Sequence, residues 1–121
     1  MGYTTDFRGV LDFDKPLTAE QVEVINDFNE ERHDQNVEIE YPGIWCQWRS
    51  SDDGKYLEWD QGEKFYNYVE WLQFLIDNYF EKWGVQLNGQ INWYGEDNGD
   101  LGQIHVTNSK ITVKEGKVVY E

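Results

Sequence analysis

Carboxylates dominate the side chains with the type and spacing to do chemistry. Glu20, Glu23, Asp27, Glu30 and Glu31 recur at steps of three and four residues, and Asp34, Glu38, Glu40, Asp52 and Asp53 follow. Closely spaced carboxylates can occupy sites that a basic protein keeps for phosphates, and the attraction speeds encounter. The chain has 24 acidic and 10 basic residues, a formal charge of −14. Residues 1–60 hold fifteen acids against five bases and residues 61–121 nine against five, so the excess lies in the first half. Solubility of a small domain asks for a net charge of only about 2–8. The ten acids named above are therefore the expected contact set for a basic protein, with generic acidity as the alternative.

Aromatic residues form a second set. The 121 residues include six Trp, eight Tyr and six Phe. Trp45, Trp48 and Trp59 are a candidate ligand groove, because indole faces stack on sugars and bases. Burial in the core is the alternative for most of the tryptophans. Trp45 is expected to point away from Cys46 and Trp48, leaving one of them outward.

The remaining chemistry is sparse. Glu96, Asn98 and Asp100 have the alternate spacing of early calcium-loop ligands. Leu101, however, stands where such a loop needs glycine, and no glutamate follows at the right distance. A hairpin loop with Asx turns is the plainer reading. His33 and His105 have no zinc spacing, and Cys46 has no second cysteine to pair with. Cys46, beside Trp45, reads as a small core residue. No catalytic residue, cofactor or metal is expected, and the chain is read as a binding protein.

Charge and hydropathy exclude partners as well. A chain this acidic cannot neutralise phosphates or an anionic bilayer, so direct nucleic-acid and membrane binding are set aside. Residues 1–6 lack the basic and apolar regions of a signal peptide. The apolar stretch Phe65 to Phe80 is interrupted by Asn67, Glu70, Gln73 and Asp77. A cytoplasmic location is the expectation.

These residues must be positioned by a single domain over residues 1–121. Tyr3 to Phe13 reads as a strand with a bulge at Gly9. Thr18 and Gln21 form a capping box opening a helix that carries Val22, Ile25 and Phe28 inward and ends near Arg32 or His33. A strand over Ile44 to Trp48 turns at Ser51-Asp52-Asp53-Gly54 into a strand over Tyr56 to Trp59, setting Trp48 opposite Trp59. Glu63 to Trp83 has the period of a five-turn amphipathic helix with a wide aromatic face, closed by Gly84. Strands follow over Gln86 to Tyr94, Gln103 to Thr107, Ile111 to Val113 and Lys117 to Tyr120. The expected fold is α+β, with two helices on one face of a mostly antiparallel sheet of five to six strands, in the order β-α-β-β-α-β-β-β. A homodimer through the aromatic helix is expected if its face is wider than the sheet can cover.

Trp45-Cys46-Gln47-Trp48, the run from Leu57 to Leu72, Trp83-Gly84, Leu87-Asn88-Gly89 and Gly95-Glu96 resemble a family of small proteins of bacteriophages and bacterial mobile elements. Tyr3 to Phe7 and Lys15 to Thr18 fit it too, so the resemblance covers most of the chain. Many members carry an insertion before the Trp-Cys-Gln-Trp strand, where this chain has only the short segment Asp34 to Gly43. The resemblance brings no activity and names no catalytic residue. It implies a phage-linked origin and host-cell cytoplasm, company in which small acidic proteins often inhibit host defence. The expected function is a non-enzymatic accessory protein that binds and inhibits a basic host protein, in the manner of a nucleic-acid mimic such as an anti-CRISPR or anti-restriction protein. The alternatives are a ligand-binding module with an aromatic groove and an immunity protein for a basic nuclease.

Overall fold

The computed structural model describes residues 4–33, 39–62, 65–97 and 99–115. The expected last strand over Lys117 to Tyr120 and the contact candidates Asp34 and Glu38 lie outside the described residues.

Among the described residues, seven strands and two helices form an α+β fold. The elements run β1 (Thr5–Arg8), β2 (Leu11–Phe13), α1 (Ala19–Glu30), β3 (Trp48–Ser50), β4 (Tyr56–Trp59), α2 (Tyr68–Leu75), β5 (Leu87–Gly95), β6 (Leu101–Thr107) and β7 (Lys110–Glu115). All are antiparallel, in the spatial order β3-β4-β2-β5-β6-β7, with β1 also paired to β5.

The first strand divides at Gly9, though not through a bulge. Arg8 pairs with Asn92 and Leu11 with Gly89, so the register against β5 is continuous. No residue is inserted; instead Gly9 takes φ +106°. A Cβ there would stand 2.5 Å from the Gln90 carbonyl oxygen, so only glycine fits. The bend frees β2 to pair with β4 on its other edge.

Alternation along the strands builds the core. Leu87, Ile91 and Trp93 on β5 and Ile104 and Val106 on β6 point inward, with Leu11, Phe13, Trp48 and Leu57 beside them. α2 lays Trp71, Leu72 and Leu75 on that face, and α1 adds Ile25 and Phe28. Phe28 joins the helices, with its ring 5.8 Å from Trp71 and stacked 5.7 Å from Phe74.

The long helix differs from the regular five turns its period predicts. α2 begins at Tyr68, and Ile76–Phe80 is a π-helical turn, with Glu81 N–H bonded to the Ile76 carbonyl at 2.9 Å. The wider turn brings Phe80 fully into the core and leaves Tyr79 half-buried. Gly84, at φ +69°, closes it as the pattern predicts. Tyr68, Val69, Phe74, Tyr79 and Trp83 are partly buried against the core. No helix among the described residues is long and apolar enough to cross a membrane.

Candidate functional site

The acidic edge is built by α1. The Thr18 hydroxyl accepts from Gln21 N–H at 3.1 Å and the Gln21 side chain accepts from Thr18 N–H at 3.0 Å, which starts the helix where the capping box predicts. From there Glu20, Glu23, Asp27, Glu30 and Glu31 fall on one exposed stripe opposite Ile25 and Phe28. None of the five has an ion pair among the described residues. At about 1.5 Å of rise per residue they give roughly one carboxylate per 4 Å of helix axis, against about 3.4 Å of duplex axis per phosphate of one DNA strand.

The β3–β4 turn extends the edge past the start of α1, where Leu17 N–H donates to the Gly54 carbonyl at 2.8 Å. Its two acids are engaged locally. Asp52 pairs with Arg49 at 3.1 Å. Asp53 accepts from the Ser51 hydroxyl at 2.7 Å and from Lys55 N–H at 3.1 Å, which lowers its pKa, the Ser51 bond contributing most. Both therefore serve the turn. Glu40 is exposed at the other end of the edge.

The three tryptophans of the expected groove do not meet in one. Trp48 is fully buried, donating to the Tyr68 carbonyl at 2.8 Å, and has no face for a ligand. Trp59 stands opposite Trp48 as the hairpin predicts, half-buried against Phe7 with ring centroids 5.2 Å apart. Trp45 alone projects, 49% exposed. The strand expected from Ile44 begins only at Trp48, and Cys46, Gln47 and Trp48 are all buried. Asn29 on α1 accounts for this, since its amide donates to the Cys46 carbonyl at 2.9 Å and holds residues 46–48 against the helix.

Trp45 instead borders a pocket of about 530 Å³ with Ile44, Tyr66, Asn67, Gln47, Gly43 and Trp71. Asn67 positions its wall. Its backbone is left-handed at φ 56°, and its side chain donates to the Pro42 carbonyl at 2.6 Å instead of capping α2. Trp71 Nε1 is buried and has no hydrogen-bond partner. Sequence reasoning missed this site, because Tyr66 and Trp71 sit within the amphipathic run and read as core. Asn67 read as a polar residue within the helix, and only the structure places it at the start of α2.

The other candidates are structural. Burial pushes the Cys46 thiol up to about 12, so it stays protonated and is no nucleophile. His33 is buried, its Nε2 2.9 Å from the Phe28 carbonyl oxygen, and His105 Nε2 lies 2.7 Å from Gln103 Oε1. In the 96–100 loop, Glu96 accepts from Thr4 N–H at 2.7 Å and Asp100 from Trp93 Nε1 at 3.0 Å, while Asn98 lies outside the described residues. No group of three or more potential metal ligands occurs among the described residues.

Comparison of the chain with protein-family models, with curated proteins and with solved structures finds no match.

Proposed function

We propose that the chain is a non-enzymatic accessory protein that binds and inhibits a basic, nucleic-acid-binding host protein through α1 and the edge around it. The observation that carries this reading is the stripe Glu20, Glu23, Asp27, Glu30 and Glu31, exposed and unpaired along one helix. Like charges three and four residues apart weaken a helix, and acids near its C-terminus oppose its dipole. α1 has no basic residue in its last turn, where Glu30 stands instead, and Glu31 follows as its C-cap. Local stability is given up for a continuous negative surface, which a solubility role does not require. The carboxylate spacing supports mimicry of a phosphate strand, as an anti-CRISPR or anti-restriction protein would use. An immunity protein facing a basic nuclease would use the same physics, and the neighbouring gene separates the two.

The test captures partners from nuclease-treated host lysate on the wild-type protein and on a variant with Glu20, Glu23, Asp27 and Glu30 changed to Lys. One nucleic-acid-binding protein, released at moderate salt, competed off by DNA and lost by the variant, is the expected result. The same partner held by the variant with the same salt dependence overturns the reading.

A further inference from the structure

The pocket beside Trp45 carries a donor with nothing to meet. Trp71 is fully buried, and its Nε1 is without a partner. A buried donor left unsatisfied is destabilising, and an arriving acceptor would relieve that cost. Gly43 packs against that nitrogen. A methyl group at Gly43 would stand 3.2 Å from Nε1 and crowd it, so glycine is the thinnest cover this position can give the nitrogen. Above it rise Trp45, Ile44 and Tyr66, each about half exposed. Among the described residues, none that lines the pocket is charged.

We propose that this pocket binds a proline-bearing segment of a basic peptide, with a peptide carbonyl accepting from Trp71 Nε1 and proline rings lying against Trp45 and Tyr66. Proline brings a strong carbonyl acceptor and an apolar ring without a backbone N–H of its own. An apolar pocket with one orphan donor matches that inventory, and a preformed extended segment loses little entropy on binding. A sugar matches it poorly. Its several hydroxyls would each need partners, whereas Gln47 Oε1 already accepts from Trp59 Nε1 at 3.1 Å and Asn67 Nδ2 already donates to Pro42. The basic flanks follow from position. His33 N–H donates to the Ile44 carbonyl at 2.7 Å, which brings the pocket mouth to the Glu30 and Glu31 end of α1, and Glu40 lies two residues before Pro42. The basic flank rests on the function proposed above; the proline anchor does not.

The experiment follows the tryptophan indole N–H resonances of the full chain by NMR during titration with three probes. These are a decapeptide of six prolines between paired lysines, the same peptide with serines for lysines, and maltohexaose. Trp71→Phe assigns the resonance. Where that variant fails to fold, Gly43→Val, which crowds the nitrogen, and the surface change Trp45→Ala serve instead. The expected result is a saturable downfield shift of the Trp71 signal with both peptides, tighter with lysines. Trp45→Ala should weaken binding at least tenfold and Gly43→Val should abolish it. If the two peptides bind equally, the pocket stands and the basic flank falls. A Trp71 signal unmoved by either peptide, or moved only by maltohexaose, overturns the proposal whatever the acidic stripe is found to bind.

Discussion

Asn26 and Ser50 hold each other by two hydrogen bonds. The Asn26 amide donates to the Ser50 carbonyl at 3.3 Å, and its oxygen accepts from Ser50 N–H at 2.9 Å. A helix side chain thus takes the place of a neighbouring strand along the open edge of β3. Asn29, one turn on, reaches the Cys46 and Trp48 carbonyls and Asp60 in the same way. Covering an edge with a helix blocks pairing with another chain, and here it also fixes which way α1 presents its acids.

Asn26→Ala should therefore destabilise the protein by about 1–3 kcal/mol, because the fully buried Ser50 would lose the acceptor for its N–H and keep only Arg49 Nε on its carbonyl. Chemical denaturation measures this. A loss below about 0.5 kcal/mol, ordinary for a surface site, contradicts the edge role.

Gly102 faces Trp93 across β5 and β6, and a Cβ there would stand 2.4 Å from the indole and 2.5 Å from the Lys114 carbonyl oxygen. Gly102→Ala should cost about 1–3 kcal/mol or more through overpacking. Combining it with Trp93→Leu, which withdraws the ring, should cost less than the sum of the two single changes. Strict additivity in thermal melts would rule out the clash as the cause.

Local signals in the sequence translated into structure, and nonlocal ones did not. The capping box of Thr18 and Gln21, the Gly84 helix stop and the facing of Trp48 and Trp59 each depend on a few neighbouring residues, and each is found. The strand boundary near Ile44 was misplaced because Asn29, far along the chain, holds Cys46 and Trp48. Gly9 signalled a break, but whether it inserts a residue depends on the β5 register, which a single sequence does not display. The acidic stripe was legible from helical spacing alone. The pocket was not, since its defining feature is an indole nitrogen left without a partner among the described residues by the packing of Phe28, Tyr41 and Gly43 around Trp71.

Alkaline pH should weaken the fold through Cys46. Burial raises the folded thiol from 9.0 to about 12, so above pH 9 the unfolded chain releases a proton that the native state keeps. The native state then binds more protons, and stability falls as pH rises, by about 1.4 kcal/mol per unit between 9 and 12. Tyr79, also raised chiefly by burial, acts in the same direction. Denaturation of the wild type and Cys46→Ala across this range should show a shallower decline in the variant. Parallel curves, or rapid modification of Cys46 by a thiol reagent in the native state, contradict it.

The tryptophans should separate cleanly under substitution. Trp48→Ala removes a fully buried ring and its hydrogen bond to the Tyr68 carbonyl, at a cost of about 3–5 kcal/mol. Trp45→Ala, on the surface, should change stability by about 0.5 kcal/mol or less. Equal effects on melting temperature would place Trp45 in the core, against its exposure.

The acids of α1 yield the sharpest opposition between stability and binding. Glu23 to Asp27 and Asp27 to Glu30 or Glu31 are like-charge neighbours worth about 0.2–0.5 kcal/mol each, and Glu30 faces the negative end of the helix dipole. Glu30→Lys reverses both effects and should stabilise the protein by about 0.5–1 kcal/mol. Added salt should raise the melting temperature of the wild type more than that of the variant, since screening over about 10 Å at 0.1 M relieves the same repulsion. The variant should at the same time lose affinity for the basic partner. A stripe maintained only by drift would show the stabilisation without the loss, whereas a working surface must show the two together.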